Sequence, residues 1–183
     1  MSIISKSKLQ SLVAMQWSIP ENRLLELKDK PGEFLSSESF KVSNISGVEY
    51  YLSIYPNDDD HHGATGIYLC LHNSDEIKVE ANFSLTIDSA NYAYEEEKYV
   101  FNESSGWGGL CCKAGELYDS EKRFIYDGKL TIKMDGIFTI ENDIPEKAET
   151  FVNHPDALCL ELWNQEEDKN FTITADGKEI TEK

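Results

Sequence analysis

VEYYLSIY (Val48–Tyr55), IYLCLH (Ile67–His72) and VEANFSLTI (Val79–Ile87) carry the reading of the fold. Each is rich in β-branched and aromatic residues, which suit a pleated, half-buried surface. A strand points successive side chains to opposite faces. In the second stretch Ile67, Leu69 and Leu71 are therefore expected to face a core, with Tyr68, Cys70 and His72 on the other side. In the third, Val79, Ala81, Phe83, Leu85 and Ile87 share one face. The first stretch stops at PNDDD (Pro56–Asp60), a turn cluster. Further on, LTIKM (Leu130–Met134) follows Asp127 and Gly128, a hairpin-type turn pair. Strands at short spacing with few helical patterns predict an all-β fold, an antiparallel β-sandwich.

Outward from these strands the chain is less regular. One helical turn is expected at Ala114–Tyr118, and a short helix from Asp156 to Trp163 behind Pro155. The polar stretch before that helix reads as a linker, and YAYEEE (Tyr92–Glu97) as a solvated loop between strands. The sequence has 183 residues, enough for one domain with an appendage. It carries 34 acidic against 17 basic residues, a net charge of -17. Phosphate backbones and anionic membrane surfaces are repelled by such a chain, so neither nucleic acid nor membrane is expected as a partner. Neutral or basic proteins are favoured. The N-terminus lacks a sustained apolar signal region, and no CxxC pair occurs among Cys70, Cys111, Cys112 and Cys159. These features predict a cytoplasmic or nuclear protein with reduced thiols, without a cofactor or metal.

A spaced series of motifs then resembles the MATH domain, the TRAF-like sandwich. QWSI (Gln16–Ile19) resembles that family's opening strand, SESF (Ser37–Phe40) its S-x-x-F, and YYLSIYP (Tyr50–Pro56) its aromatic-x-L-x-[IV]-x-P strand. LCLH (Leu69–His72), FSLTI (Phe83–Ile87), YVF (Tyr99–Phe101), GWG (Gly106–Gly108), Glu116-Leu117 and DGKLTI (Asp127–Ile132) follow in order. The tail resembles the start of a BTB domain, in LCLELW (Leu158–Trp163) and FTITADGKEI (Phe171–Ile180). The resemblance implies residues 1–11 as an N-terminal lead, 12–141 as a MATH domain, 142–155 as a linker and 156–183 as an incomplete BTB-like start. It implies a parent architecture like the MATH–BTB adaptors that present substrates to cullin-type ubiquitin ligases, or a stand-alone relative of them. The chain itself is expected to be a monomer.

The same resemblance implies a groove that grips short peptide segments. Its aromatic wall falls on Phe83, Tyr99 and Trp107, beside Gly108, where the lack of a side chain would let a ligand backbone come close. Ser53 stands where an arginine can occur in the family; Ser105 and Gly106 replace a Lys-Asp pair, and Gly109 an aromatic. The aromatic of the Leu69–His72 strand becomes Cys70 or His72. Plainer readings stand beside these. Phe83 fits a core as well as a groove. Trp17, Phe40 and Tyr50 are expected in the core, and DDDHH (Asp58–His62) on a solvated loop rather than around a metal. Cys111 and Cys112 are expected to be structural, because free cysteine is commonly buried. No triad or oxyanion pattern frames them with His72 or His154 as base, so no enzyme is expected.

Overall fold

The computed structural model describes residues 5–61, 63–73, 77–144, 173–175 and 178–180. Met1–Pro145 forms one compact unit and Glu146–Lys183 another. In the first unit the strands are β1 (Ser5–Pro20), β2 (Leu35–Ser36), β3 (Phe40–Lys41), β4 (Val48–Asp58) and β5 (Ala64–Asn73), then β6 (Val79–Ile87), β7 (Tyr92–Phe101), β8 (Ser105–Lys113) and β9 (Lys129–Ile144). One short helix, α1 (Glu21–Leu25), and two 3-10 turns, Asp88–Ala90 and Glu116–Tyr118, complete the described elements of this unit. One sheet has the order β1-β9-β6-β7; the other runs β2-β4-β5-β8, with β3 also paired to β4. Every pairing is antiparallel.

Period-two alternation builds the core from both sheets. β4 buries Leu52 and Ile54, β5 buries Ile67, Leu69 and Leu71, and β6 buries Val79 through Ile87 at every second position. Against them β9 sets Leu130, Ile132, Met134, Phe138 and Ile140. Tyr50 meets Phe138 across the sandwich edge to face, ring centroids 5.6 Å apart. Burying one such side chain contributes about 1.5–3 kcal/mol. Gly136 breaks the series for a steric reason: a Cβ there would lie 2.9 Å from the Phe83 Cβ on the neighbouring strand. The hairpin-type turn is present. Asp127 and Gly128 both have positive φ, 53° and 69°, and Tyr126 and Lys129 exchange backbone hydrogen bonds across them. Two consecutive positive φ angles are those of a type I′ turn.

Several expectations change. Tyr92–Glu97 lies not on a loop but in β7, where Tyr92, Tyr94 and Glu96 are half-buried and alternate with exposed residues. β1 reaches back to Ser5, which pairs with Ile144. Tyr50 is buried and Trp17 packs against the core, but Phe40 is 43% exposed, because β3 is a two-residue strand at the sheet margin. In the second unit β10 (Ile173–Ala175) pairs with β11 (Lys178–Ile180) as a hairpin. The expected helix from Asp156, and the linker beyond Ile144, lie outside the described residues.

Candidate functional site

The outer face of the β2-β4-β5-β8 sheet carries a hollow of about 390 Å³. β4 lines it with Tyr51, Ser53 and Tyr55; β5 with Tyr68, Cys70 and His72; β8 with Ser105 and Gly106. Register explains the grouping. Tyr51 lies opposite Cys70, Ser53 opposite Tyr68, and Cys70 opposite Gly106, so all of them share the face that the core residues leave. The floor is made of small groups. Ser53 is only 2% exposed and its Oγ lies 3.3 Å from the Cys70 Sγ. Burial pushes the Cys70 thiol up, against the opposing effect of the Ser53 and Tyr51 hydroxyls, which keeps it a neutral surface. A Cβ on Gly106 would come within 3.0 Å of that sulfur. The walls are aromatic: Tyr55 meets Tyr68 edge to face at 5.6 Å, and His72 lies 5.6 Å from Tyr51. A second hollow, of about 400 Å³, shares His72 and Ser104 with the first.

One end of the hollow is held by Asp58. Its Oδ2 accepts a 2.7 Å hydrogen bond from the Tyr68 hydroxyl and lies 3.0 Å from His61 Nδ1. Its Oδ1 accepts from the Asp60 amide. Burial alone would raise this carboxyl, but those hydrogen bonds outweigh it and hold it below the usual carboxylate range. Asp58 is 6% exposed, so the turn expected as a solvated loop begins with a buried, satisfied carboxylate that fixes an aromatic wall.

A second aromatic group sits where the edge strands β7 and β8 meet. Tyr99 stacks on Trp107, centroids 4.2 Å apart and planes 14° off parallel. Trp107 Nε1 donates to Glu96 Oε2 at 2.6 Å, and the Tyr94 hydroxyl donates to the same oxygen at 2.5 Å. These two donors, Tyr94 first, hold the Glu96 carboxyl below its ordinary value. Trp107 stays 41% exposed although it is fixed on two sides. A surface aromatic with its conformation already set loses little entropy on contact with a partner.

The structure thus divides the expected site residues. Ser53, Cys70, His72, Ser105 and Gly106 come together in one hollow; both Cys70 and His72 line it, so the two alternatives for that strand are not exclusive. Tyr99 and Trp107 pair on the neighbouring rim. Phe83 does not join them: it is 4% exposed, part of the core, and covered by Tyr94 at 6.1 Å between centroids. Gly108 has a steric reason of its own to be bare: a Cβ there would fall 2.0 Å from the Ile67 carbonyl oxygen of β5. At Gly109 the corresponding space is filled by the Tyr94 ring, 2.4 Å from a Cβ. Tyr94, Glu96, Tyr51 and Tyr55 have no site role in the sequence reading, which places Tyr68 only on the outer face and Asp58 only on a turn. The alternation Tyr92-x-Tyr94-x-Glu96 was the available signal for the first two.

Among the described residues no group of three or more His, Cys, Asp or Glu is placed to hold a metal ion. Also among them, no helix is long and apolar enough to cross a membrane. A comparison with curated proteins found no match. The profile of one family, described as the MATH domain, matches residues 14–135. That span covers β1 from Ala14 through the first half of β9, and so contains both the hollow and the Tyr99–Trp107 pair. The chain belongs to the MATH domain family of protein-interaction modules.

Proposed function

We propose that this protein binds short, extended peptide segments of other proteins across the β4-β5-β8 face and catalyses no reaction. The observation that carries this reading is the hollow with small groups on its floor and tyrosines on its walls, opening at an edge strand. Ser53, Cys70 and Gly106 leave room for a ligand side chain, while Tyr51, Tyr55 and Tyr68 offer apolar faces and hydroxyls. β8 is the last strand of its sheet and can lend main-chain groups to an added strand. Trp107, next to Gly106 on that strand, supplies the exposed aromatic anchor, backed by the half-buried Tyr99. Partners are neutral or basic segments, because Asp58 and Asp60 flank the hollow and the whole chain carries a charge of -17. The protein works as a monomer in the cytoplasm or nucleus. In cellular context it serves as the substrate-recognition part of a MATH–BTB-type adaptor for a cullin ubiquitin ligase. The support for that last step is the BTB-like tail sequence and its β10–β11 hairpin.

The test is capture of partners from lysate by the intact chain, by Trp107→Ala and by Gly106→Leu, whose side chain would fill the hollow. Captured partners are then cut into overlapping synthetic peptides. Partners retained by the wild type and lost from both variants, with binding traced to short linear peptides, are expected. Equal capture by all three proteins, or binding confined to folded partner domains, overturns the reading.

A further inference from the structure

Adjacent residues of a regular strand point to opposite faces, which keeps neighbouring side chains apart. Cys111 and Cys112 break that rule. In the β5–β8 ladder Thr65 is opposite Cys112, while the next residue, Gly66, is opposite Leu110. Cys111 is the extra residue of a β-bulge, which bends the strand and re-aims its side chains. As a result the two sulfurs lie 3.8 Å apart. Both cysteines are only partly buried. Beside them the Tyr92 hydroxyl is buried without a hydrogen-bond partner, and burial together with the two thiols pushes it up to about 12. None of this belongs to the peptide-binding face, where the cysteine involved is Cys70.

We infer that Cys111 and Cys112 form a redox-modifiable dithiol, which a hydroperoxide converts to a disulfide between adjacent residues. The two thiols are not equivalent. Either thiol can donate across the 3.8 Å contact; with Cys111 donating, the hydrogen bond lowers the Cys112 thiol against the effect of its burial. That same contact, with burial, keeps the Cys111 proton in place. Cys112 is thus the attacking sulfur. Its thiolate attacks one peroxide oxygen; an S–O bond forms, the O–O bond breaks, and the leaving hydroxide or alkoxide takes a proton from solvent. The Cys111 sulfur then attacks the Cys112 sulfur. An S–S bond forms, the S–O bond breaks, and hydroxide departs with the Cys111 proton as water. Each sulfur gives up one electron, and the peroxide oxygens accept both. The sulfurs have to close from 3.8 Å to about 2.0 Å. Adjacent Cα atoms lie about 3.8 Å apart, below the usual disulfide span, so the eight-membered ring is strained and readily reduced. The ring then fixes the backbone of β8, the strand that carries Gly106 and Trp107.

The reduced 183-residue chain, treated with hydrogen peroxide and mapped by mass spectrometry without reduction, tests this. The peptide containing Cys111 and Cys112 should lose two hydrogen atoms and resist alkylation, and dithiothreitol should restore both thiols. Cys70, on the floor of its hollow, should remain alkylatable. In Cys111→Ser a sulfenic acid should be trapped on residue 112 by dimedone, and Cys112→Ser should consume peroxide about tenfold more slowly than the wild type. If peroxide instead yields sulfinic acid on either residue, links either to another chain, or leaves both thiols alkylatable while oxidising methionines, the inference is wrong. These readouts involve no peptide ligand, so they stand or fall apart from the binding function.

Discussion

At the residue scale the exposed Trp107 separates binding from stability. Its ring lies on Tyr99, which itself packs on the core against Phe101, so truncating Trp107 removes contact surface for a partner but little buried area. Trp107→Ala should weaken peptide binding by about 2 kcal/mol or more, the usual cost of losing an aromatic anchor. Phe138→Ala, at a fully buried position, should instead cost roughly 3–5 kcal/mol of folding stability. A thermal melt and a binding isotherm for each variant check the contrast; equal melting losses would place Trp107 in the core. Glu96 sets the pH response of this pair. Its folded carboxyl is held below the ordinary 4.5 by the Tyr94 hydroxyl and then by Trp107 Nε1. A depressed carboxyl contributes in full above its unfolded value and loses that contribution as pH falls through the folded one. Trp107 emission should thus stay constant from neutral pH down to 4.5 and change only below it. In Glu96→Gln the acid transition should disappear.

At the element scale β8 is built around bare positions. Gly108→Ala would drive a methyl group into the Ile67 carbonyl, so the β5–β8 ladder must part or shift. A loss of about 1–3 kcal/mol is expected, the range of overpacking. Gly128→Ala tests a different cause. Its space is open, but its φ of +69° strains any residue with a Cβ, at about 1–2 kcal/mol. Gly115→Ala, with open space and no positive φ, is the control and should melt like the wild type. Denaturant unfolding of the three variants distinguishes collision from backbone strain, because only Gly108→Ala should also reduce amide protection along β5. The DG turn is legible in the sequence, since consecutive left-handed residues suit Asp-Gly. β7 was not: its run of three glutamates looks like solvent, and only pairing with β6 makes Tyr92–Glu97 a strand.

At the scale of the whole molecule, charge governs encounter. Acidic residues outnumber basic ones two to one, and the net charge of -17 acts on a partner well before contact. For a ligand peptide bearing lysine or arginine, raising salt from about 0.05 M to about 0.5 M should weaken binding about tenfold, as the screening length shrinks to a few ångströms. An uncharged variant of the same peptide should bind almost independently of salt. Calorimetric titration at the two salt concentrations measures both. A flat response for the charged peptide would show that the aromatic contacts alone set affinity.

The sequence by itself determined the fold class, the strands β4, β5 and β6 and the hairpin turn, because alternation and turn chemistry are local properties. Alternation also marked the inner face of β5, while the resemblance to the MATH family offered Trp107 and Tyr99 as candidate anchors. Only the tertiary structure decided what Phe83 does, since its face is shared by core and candidate groove and burial depends on the ring of Tyr94 above it. The structure alone revealed that Gly108 accommodates β5, that Asp58 braces Tyr68, and that Glu96 holds Trp107. It likewise turned two neighbouring cysteines to within 3.8 Å, through a bulge that no local pattern announces. In each case the deciding contact joins residues of different strands, or depends on register between them. Register is set by the packing of whole sheets.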